Sequence, residues 1–195
     1  MKVAIITDQH FGARKNSKLF HDYFLKFYTD IFFPYLEEND ISVVVDMGDT
    51  FDSRKGIDFS ALSWAKNNYY DKLSDMGVTV HTIVGNHTAY YKNTNDVNAV
   101  DLLLREYENV TVYSEATEVN LGGLKTLFIP WINQENENTT HQLISVRWGI
   151  LNSMDLESIN KSSWIMAMQV NYIQSFPRSS AVTITPDPIM DKFIT

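Results

Sequence analysis

Short apolar, β-branched runs alternate along this chain with longer stretches in which apolar residues recur every three to five positions. Val3-Ala4-Ile5-Ile6, Val43-Val44-Val45 and Val78–Val84 are runs of the first kind, each closed by glycine or polar residues. Such runs read as buried parallel strands. Lys18–Asn39 is of the second kind, with Phe20, Phe24, Phe27, Ile31 and Leu36 predicted to form a core-facing stripe and Pro34 to kink the helix. Ile57–Met76 predicts a second helix, opened by Asp58 and closed near Gly77, and Asp96–Glu106 a shorter third. Val110–Tyr113, Thr117–Asn120 and Lys125–Ile129 predict short strands, with Gly122-Gly123 as a hairpin turn between the last two. The βαβαβαβ alternation over residues 1–130 predicts a layered α/β fold of central sheets flanked by helices.

Composition changes this picture little. The 195 residues are 44% hydrophobic and 21% charged, as in ordinary soluble domains, and no stretch approaches a membrane span. The apolar start is too short for a signal peptide. The absence of cysteine rules out disulfides and thiolate metal sites and fits a cytoplasmic protein, in a host cytoplasm if phage-encoded. The net charge of −8 argues against a free-standing nucleic-acid binder, although site carboxylates enter that sum and bound cations reverse their local sign.

The chemistry gathers where the first three strands end. Asp8-Gln9-His10 follows the first run, Gly48-Asp49-Thr50-Phe51-Asp52 the second and Gly85-Asn86-His87 the third. Ligands of open α/β sheets bind beyond the carboxyl ends of strands, so these three turns are expected to converge. In an extended segment Asp8 and His10, two apart, face the same way and can grip one ion. Asp49 follows a glycine that permits a tight turn, and its two oxygens can bridge two ions. Asn86 offers an amide oxygen. His87, adjacent to it, points elsewhere and is a candidate acid. Hard oxygen with imidazole suits manganese, iron or zinc. Asp52 reads as supporting or turn-forming, and Arg54 and Lys55 as exposed loop cations. His81 reads as packed in or on its strand, His21 as exposed or structural, and His141 as part of a polar loop.

These motifs resemble those of the calcineurin-like metallophosphoesterases. More narrowly they are similar to the SbcD-type exonuclease subunits, the double-strand-break repair nucleases that include bacteriophage members. Asp8-Gln9-His10-Phe11-Gly12 is similar to the first motif, and Gly48 through Lys55 resembles the phage form of the second. Gly85-Asn86-His87 matches the third, with Thr88 in place of the usual Asp, and Ile129-Pro130-Trp131-Ile132 resembles the stretch closing the first half of the phage proteins. The resemblance implies a metallophosphoesterase fold, incomplete here at the C-terminus. It also implies a site of two divalent ions, usually manganese with iron, magnesium or zinc as alternatives, that hydrolyses DNA phosphodiesters in recombination and repair. It assigns Asp8 and His10 to one ion, Asp49 to the bridge, Asn86 to the other ion, and His87 to stabilising the transition state or protonating the leaving group. It further implies DNA, an SbcC-type ATPase subunit and a second copy of the chain as partners, and no membrane.

The family needs three further histidines, one on a later strand and two in a closing Gly-His-x-His. This chain has five in all, His10, His21, His81, His87 and His141, and no Gly-His pair. From about residue 142 the periodicity also dissolves. Under one allowed set of codons, Trp148–Asp155 read one nucleotide earlier spells Met-Gly-His-Leu-Glu-Phe-Asn-Gly. The same offset turns Ala181–Asp187 into Gly-His-Tyr-His-Thr-Arg. Two missing motifs, in the expected order and in one frame, point to a frameshift. The chain therefore divides into 1–142, the N-terminal part of the nuclease domain, and 143–195, an atypical tail expected to be out of frame and poorly packed. Two other readings stand beside the nuclease: an inactive fragment that binds metal, DNA or a partner, and a small-molecule or protein phosphatase with the same motifs.

Overall fold

The computed structural model describes residues 2–153, 164–168 and 182–184. A five-stranded sheet forms its centre. Strands β1 (Ala4–Ile6), β2 (Val43–Asp46), β3 (Thr79–Ile83) and β4 (Val110–Tyr113) run parallel in the order β4-β3-β2-β1. A second sheet is built on the antiparallel hairpin of β5 (Thr117–Leu121) and β6 (Leu124–Ile129). Gly122 and Gly123 turn it with φ of 56° and 94°, values that glycine adopts without a side-chain clash.

Helices cover the outer face of the large sheet. Segment α1 (Lys18–Phe27) continues through a π turn, Tyr28–Phe32, into α2 (Phe33–Glu38). Likewise α3 (Phe59–Ala65) continues through Lys66–Tyr70 into α4 (Asp71–Asp75). Asp58 caps α3 by accepting from the Ser60 N–H at 2.8 Å, as its position predicts. Helix α5 (Ala99–Leu104) is capped by Asn98, whose Oδ1 accepts from Asp101 N–H at 2.8 Å.

The π turn corrects the expected stripe of the first helix. Phe24 and Leu36 are buried as predicted, but Ile31 is 56% exposed and Phe20 lies at the surface. Tyr28 and Phe32 take the core positions instead. A wider turn brings residues four apart back into line, so Phe24, Tyr28, Phe32 and Leu36 share one face. Pro34 ends no helix; it stands in the first turn of α2, where its missing N–H removes no needed bond. The core beneath is strongly aromatic: Phe11, Tyr28, Phe51, Tyr69 and Tyr70 are each 2% exposed or less. A smaller core of Val45, Ile83, Tyr113, Leu121 and Phe128 seals the space between the sheets. His81 belongs there, stacked on Phe128 and hydrogen-bonded through Nδ1 to the Tyr113 hydroxyl at 2.7 Å. His21 is buried against Trp64, an evident packing role.

Of the stretch 143–195, three pieces are described. Helix α6 (Glu137–Ser153) enters it and carries an exposed His141, where a polar loop was expected. Strand β7 (Trp164–Met168) runs parallel to β6, and β8 (Val182–Ile184) runs parallel to β1 at the edge of the large sheet. The expected disorder of packing in 154–163, 169–181 and 185–195 lies outside the described residues.

Candidate metal centre

The turns after β1 and β2 are joined by their backbones. Asp8 N–H donates to Gly48 O at 3.2 Å, His10 N–H to Asp49 O at 2.9 Å, and Phe11 N–H to Thr50 O at 2.8 Å. This ladder continues the parallel pairing past the strand ends and brings the two motifs side by side. The third turn is tied in by His87 N–H, which donates to Asp49 Oδ1 at 2.9 Å.

Close approach of β2 and β3 depends on Gly48. Its φ is +96°, and a Cβ there would lie 3.2 Å from both Gly85 Cα and Ile83 O. Both the conformation and the space exclude a side chain. Gly48→Ala is expected to cost about 2 kcal/mol or more of stability, read by chemical denaturation, because both penalties act together. Asp8, His10 and Asp49 themselves have φ of 54°, 44° and 53°. Non-glycine residues in this region carry strain that surrounding bonds must hold, and such strain gathers at functional sites.

Ligand atoms of Asp8, His10 and Asp49 lie within 4.8 Å of one another, and those of His10, Asp52 and His87 form a second such group. His10 belongs to both. Its imidazole stands 3.6 Å from Asp8 Oδ1 and 3.4 Å from Asp52 Oδ1, and its ring meets that of His87 edge-on at 4.8 Å between centroids. Three donors of carboxylate and imidazole type in each group fit a hard or borderline divalent ion, and each group by itself leaves further coordination positions open. Asn86 lies half-buried on the third turn, next to His87. His87 does not turn away from the cluster as its sequence position implies. Its Nδ1 is 2.9 Å from the Asp52 carbonyl oxygen. A carbonyl only accepts, so Nδ1 carries the proton and Nε2 is the working atom.

The charges are coupled. The neighbouring His10 imidazole holds the Asp8 carboxyl below its usual range, with the Thr7 hydroxyl adding to it, and the proximity of Asp8 raises the His10 imidazole above its own. A ligating imidazole must be neutral, so protons compete with metal for His10. Mn²⁺ affinity measured by calorimetry is expected to fall as pH drops through the raised His10 value, by up to about tenfold per unit.

Two residues escaped the sequence reading. Asp46, at the end of β2, is fully buried. Its Oδ2 accepts from Gln9 Nε2 at 3.0 Å and Thr50 Oγ1 at 2.9 Å, and its Oδ1 from Gly48 N–H at 3.1 Å. Gln9 in turn accepts from the Tyr28 hydroxyl at 2.6 Å. Asp46 thus braces the residues between and beside the candidate ligands. A lone Asp inside an apolar run was the available signal. Arg54 was expected as an exposed loop cation and is half-buried instead. Its guanidinium donates to the Asn86 carbonyl and lies 5.0 Å over the Trp131 ring, clamping the second turn to the third.

Residues 1–189 match the calcineurin-like phosphoesterase family, and the chain belongs to that family. Among individual proteins, exonuclease subunit 1 of Enterobacteria phage T4 is 41% identical over 102 residues, covering 52% of this chain and 30% of the phage protein. The chain therefore spans less than a third of that relative in the aligned region. Two solved structures are similar at 13% identity and a TM-score of 0.43 each. An archaeal phosphodiesterase is matched over 87% of this chain and 84% of its own. A protein of unknown function from Aquifex aeolicus is matched over 85% and 89%. Among the described residues no helix is long and apolar enough to cross a membrane.

Proposed function

We propose that this chain carries the metal-gripping half of a DNA phosphodiesterase, an exonuclease or endonuclease subunit of recombination and repair. The observation that carries the reading is the pair of donor groups sharing His10 at the ends of β1, β2 and β3. In this reading Asp8 and His10 hold one divalent ion, Asp49 bridges, and Asn86 serves the other, with Mn²⁺ the first choice. Such ions would polarise a phosphoryl oxygen and lower the pKa of water. Hydrolysis adds water across a P–O bond, and the departing oxygen needs a proton. His87, oriented by the Asp52 carbonyl, supplies it from Nε2 when the ring is charged. The likeness to a phage exonuclease subunit supports DNA as substrate and a further subunit as partner, and we take that partner to be an SbcC-type ATPase or a second copy of this chain. The phage-like run Gly48 through Lys55 favours a nuclease over a small-molecule phosphatase.

The chain as it stands has fewer imidazoles than two ions need, and we read its tail as out of frame. Strand β8, beside β1, falls within the stretch whose shifted reading is Gly-His-Tyr-His. The reading is tested by Mn²⁺-dependent degradation of linear duplex DNA. Asp49→Ala is expected to remove metal binding, and in a frame-restored chain to abolish cleavage. Metal-dependent cleavage that survives Asp49→Ala would refute the proposal.

A further inference from the structure

On a loop that carries the candidate metal centre, the chain displays two exposed aromatic rings. Tyr90 and Tyr91 follow His87 by three and four residues and are 40% and 50% exposed. Their ring planes meet at 83° with centroids 4.8 Å apart, forming an open corner. Lys55 Nζ lies 6.0 Å from the centre of the Tyr90 ring, and Lys92 stands exposed next in sequence. Exposed aromatic area in water is unfavourable, and nothing in the local backbone requires it.

The corner is held firmly. Tyr90 N–H donates to Val97 O at 2.8 Å and Ala99 N–H to Thr88 O at 2.9 Å. Asn95 Nδ2 bonds both Ser114 O at 3.1 Å and Trp131 O at 2.9 Å. Arg54 and Lys55 come from the second turn, and Tyr90 and Tyr91 from the third, so the corner is fixed to the loops that bear Asp49, Asp52 and His87. A rigid aromatic platform loses little entropy when a flat ring lands on it.

We infer that Tyr90 and Tyr91, with Lys55 and Lys92, hold an unpaired nucleobase of a DNA strand next to the phosphate to be cleaved. Aromatic rings flanked by cations suit this occupant: rings stack on bases without regard to sequence, and ammonium groups meet the flanking phosphates. An apolar protein partner would leave both cations buried without counter-charge. The inference rests on the nuclease reading and narrows it to a strand with an unstacked base at the site. Cleavage by this chain would favour single strands, frayed ends or melted termini over closed duplex.

The test separates binding from cleavage. Anisotropy of a fluorescein-labelled oligothymidylate is measured in EDTA, with an abasic strand of equal length as the second probe. Wild type is expected to bind the intact strand about tenfold more tightly than the abasic one. Tyr90→Leu and Tyr91→Leu are expected to erase that difference, while Tyr90→Phe and Tyr91→Phe keep it. Lys55→Ala and Lys92→Ala are expected to weaken both probes alike and reduce the salt dependence by about one charge each. Equal binding of the two probes by wild type, no binding of either, or full preference in the Leu variants would overturn the inference. The intact-against-abasic comparison on wild type decides it even if a variant folds poorly. Base-dependent binding with no Mn²⁺-dependent cleavage even by the frame-restored chain would keep the platform and refute the nuclease; cleavage by that chain without base dependence would do the reverse.

Discussion

Restoring the reading frame after about residue 142 is expected to raise Mn²⁺-dependent DNA degradation by about a hundredfold or more. On the proposed reading the shifted frame would supply the Met-Gly-His and Gly-His-Tyr-His stretches that the written chain lacks. The two donor groups share His10, and with His87 kept for proton transfer the second group retains only His10 and Asp52. Two ions drawing on a shared imidazole are each left short of protein ligands. Geometry then loosens, and attacking and departing oxygens are no longer held in line. In the restored chain His87→Ala is expected to cut the rate about a hundredfold or more while metal binding is largely kept. Asp49→Ala is expected to lose both. Strong cleavage by the written chain, abolished by Asp49→Ala, would show that the donors present suffice. Sequencing the gene across codons 140–190 checks the frame directly.

Stability should depend on Asp46 in an unusual direction. Burial pushes its carboxyl from 3.8 up to about 7, against three donors that pull it down. Unfolded, this group releases its proton near 3.8; folded, it keeps the proton until near 7. Between those values the folded state binds the extra proton, so the Asp46 contribution to stability falls as pH rises. At 1.36 kcal/mol per unit the full loss is on the order of 4 kcal/mol. Lowered groups such as Asp8 act oppositely, so the readout is the difference between wild type and Asp46→Asn in denaturation across about pH 4 to 8. That difference should slope, with wild type losing ground as pH climbs; a flat difference would refute the assignment. Asp46→Ala goes further, stranding Gln9, Thr50 and the Gly48 N–H at once. A loss of about 3 kcal/mol or more is expected, with weaker Mn²⁺ binding because Gln9 lies between Asp8 and His10.

Much of this was legible in the residues because strand and turn signals are local. Val43–Val45 is apolar without interruption and Val78–Val84 is β-branched at every position but His81, patterns that suit strands buried within a sheet. Asp58 before Phe59 and the Gly122-Gly123 pair announce a cap and a hairpin through chemistry confined to a few residues. The three strand-end motifs were legible for the same reason, and the parallel sheet turned their order in sequence into neighbourhood in space.

What the chain alone did not reveal depends on partners distant in sequence. Periodicity counts residues at a fixed pitch, so it placed Ile31 in the core and missed Tyr28 and Phe32; the π turn that reverses them answers to packing against Tyr69. Arg54 looked like a solvated loop cation until the fold set Asn86 and Trp131 against it. Asp46 drew no functional reading from the sequence, because only the pairing of β1 with β2 delivers Gln9 to its carboxylate. His87 points back to the cluster because Asp52, thirty-five residues earlier, offers its Nδ1 a carbonyl. The sequence by itself determined which strands form and which side chains stand at their ends, since burial pattern and turn chemistry are properties of short segments. Tertiary structure alone decided which atoms of those side chains face one another, because that is set by register between strands and by packing across layers.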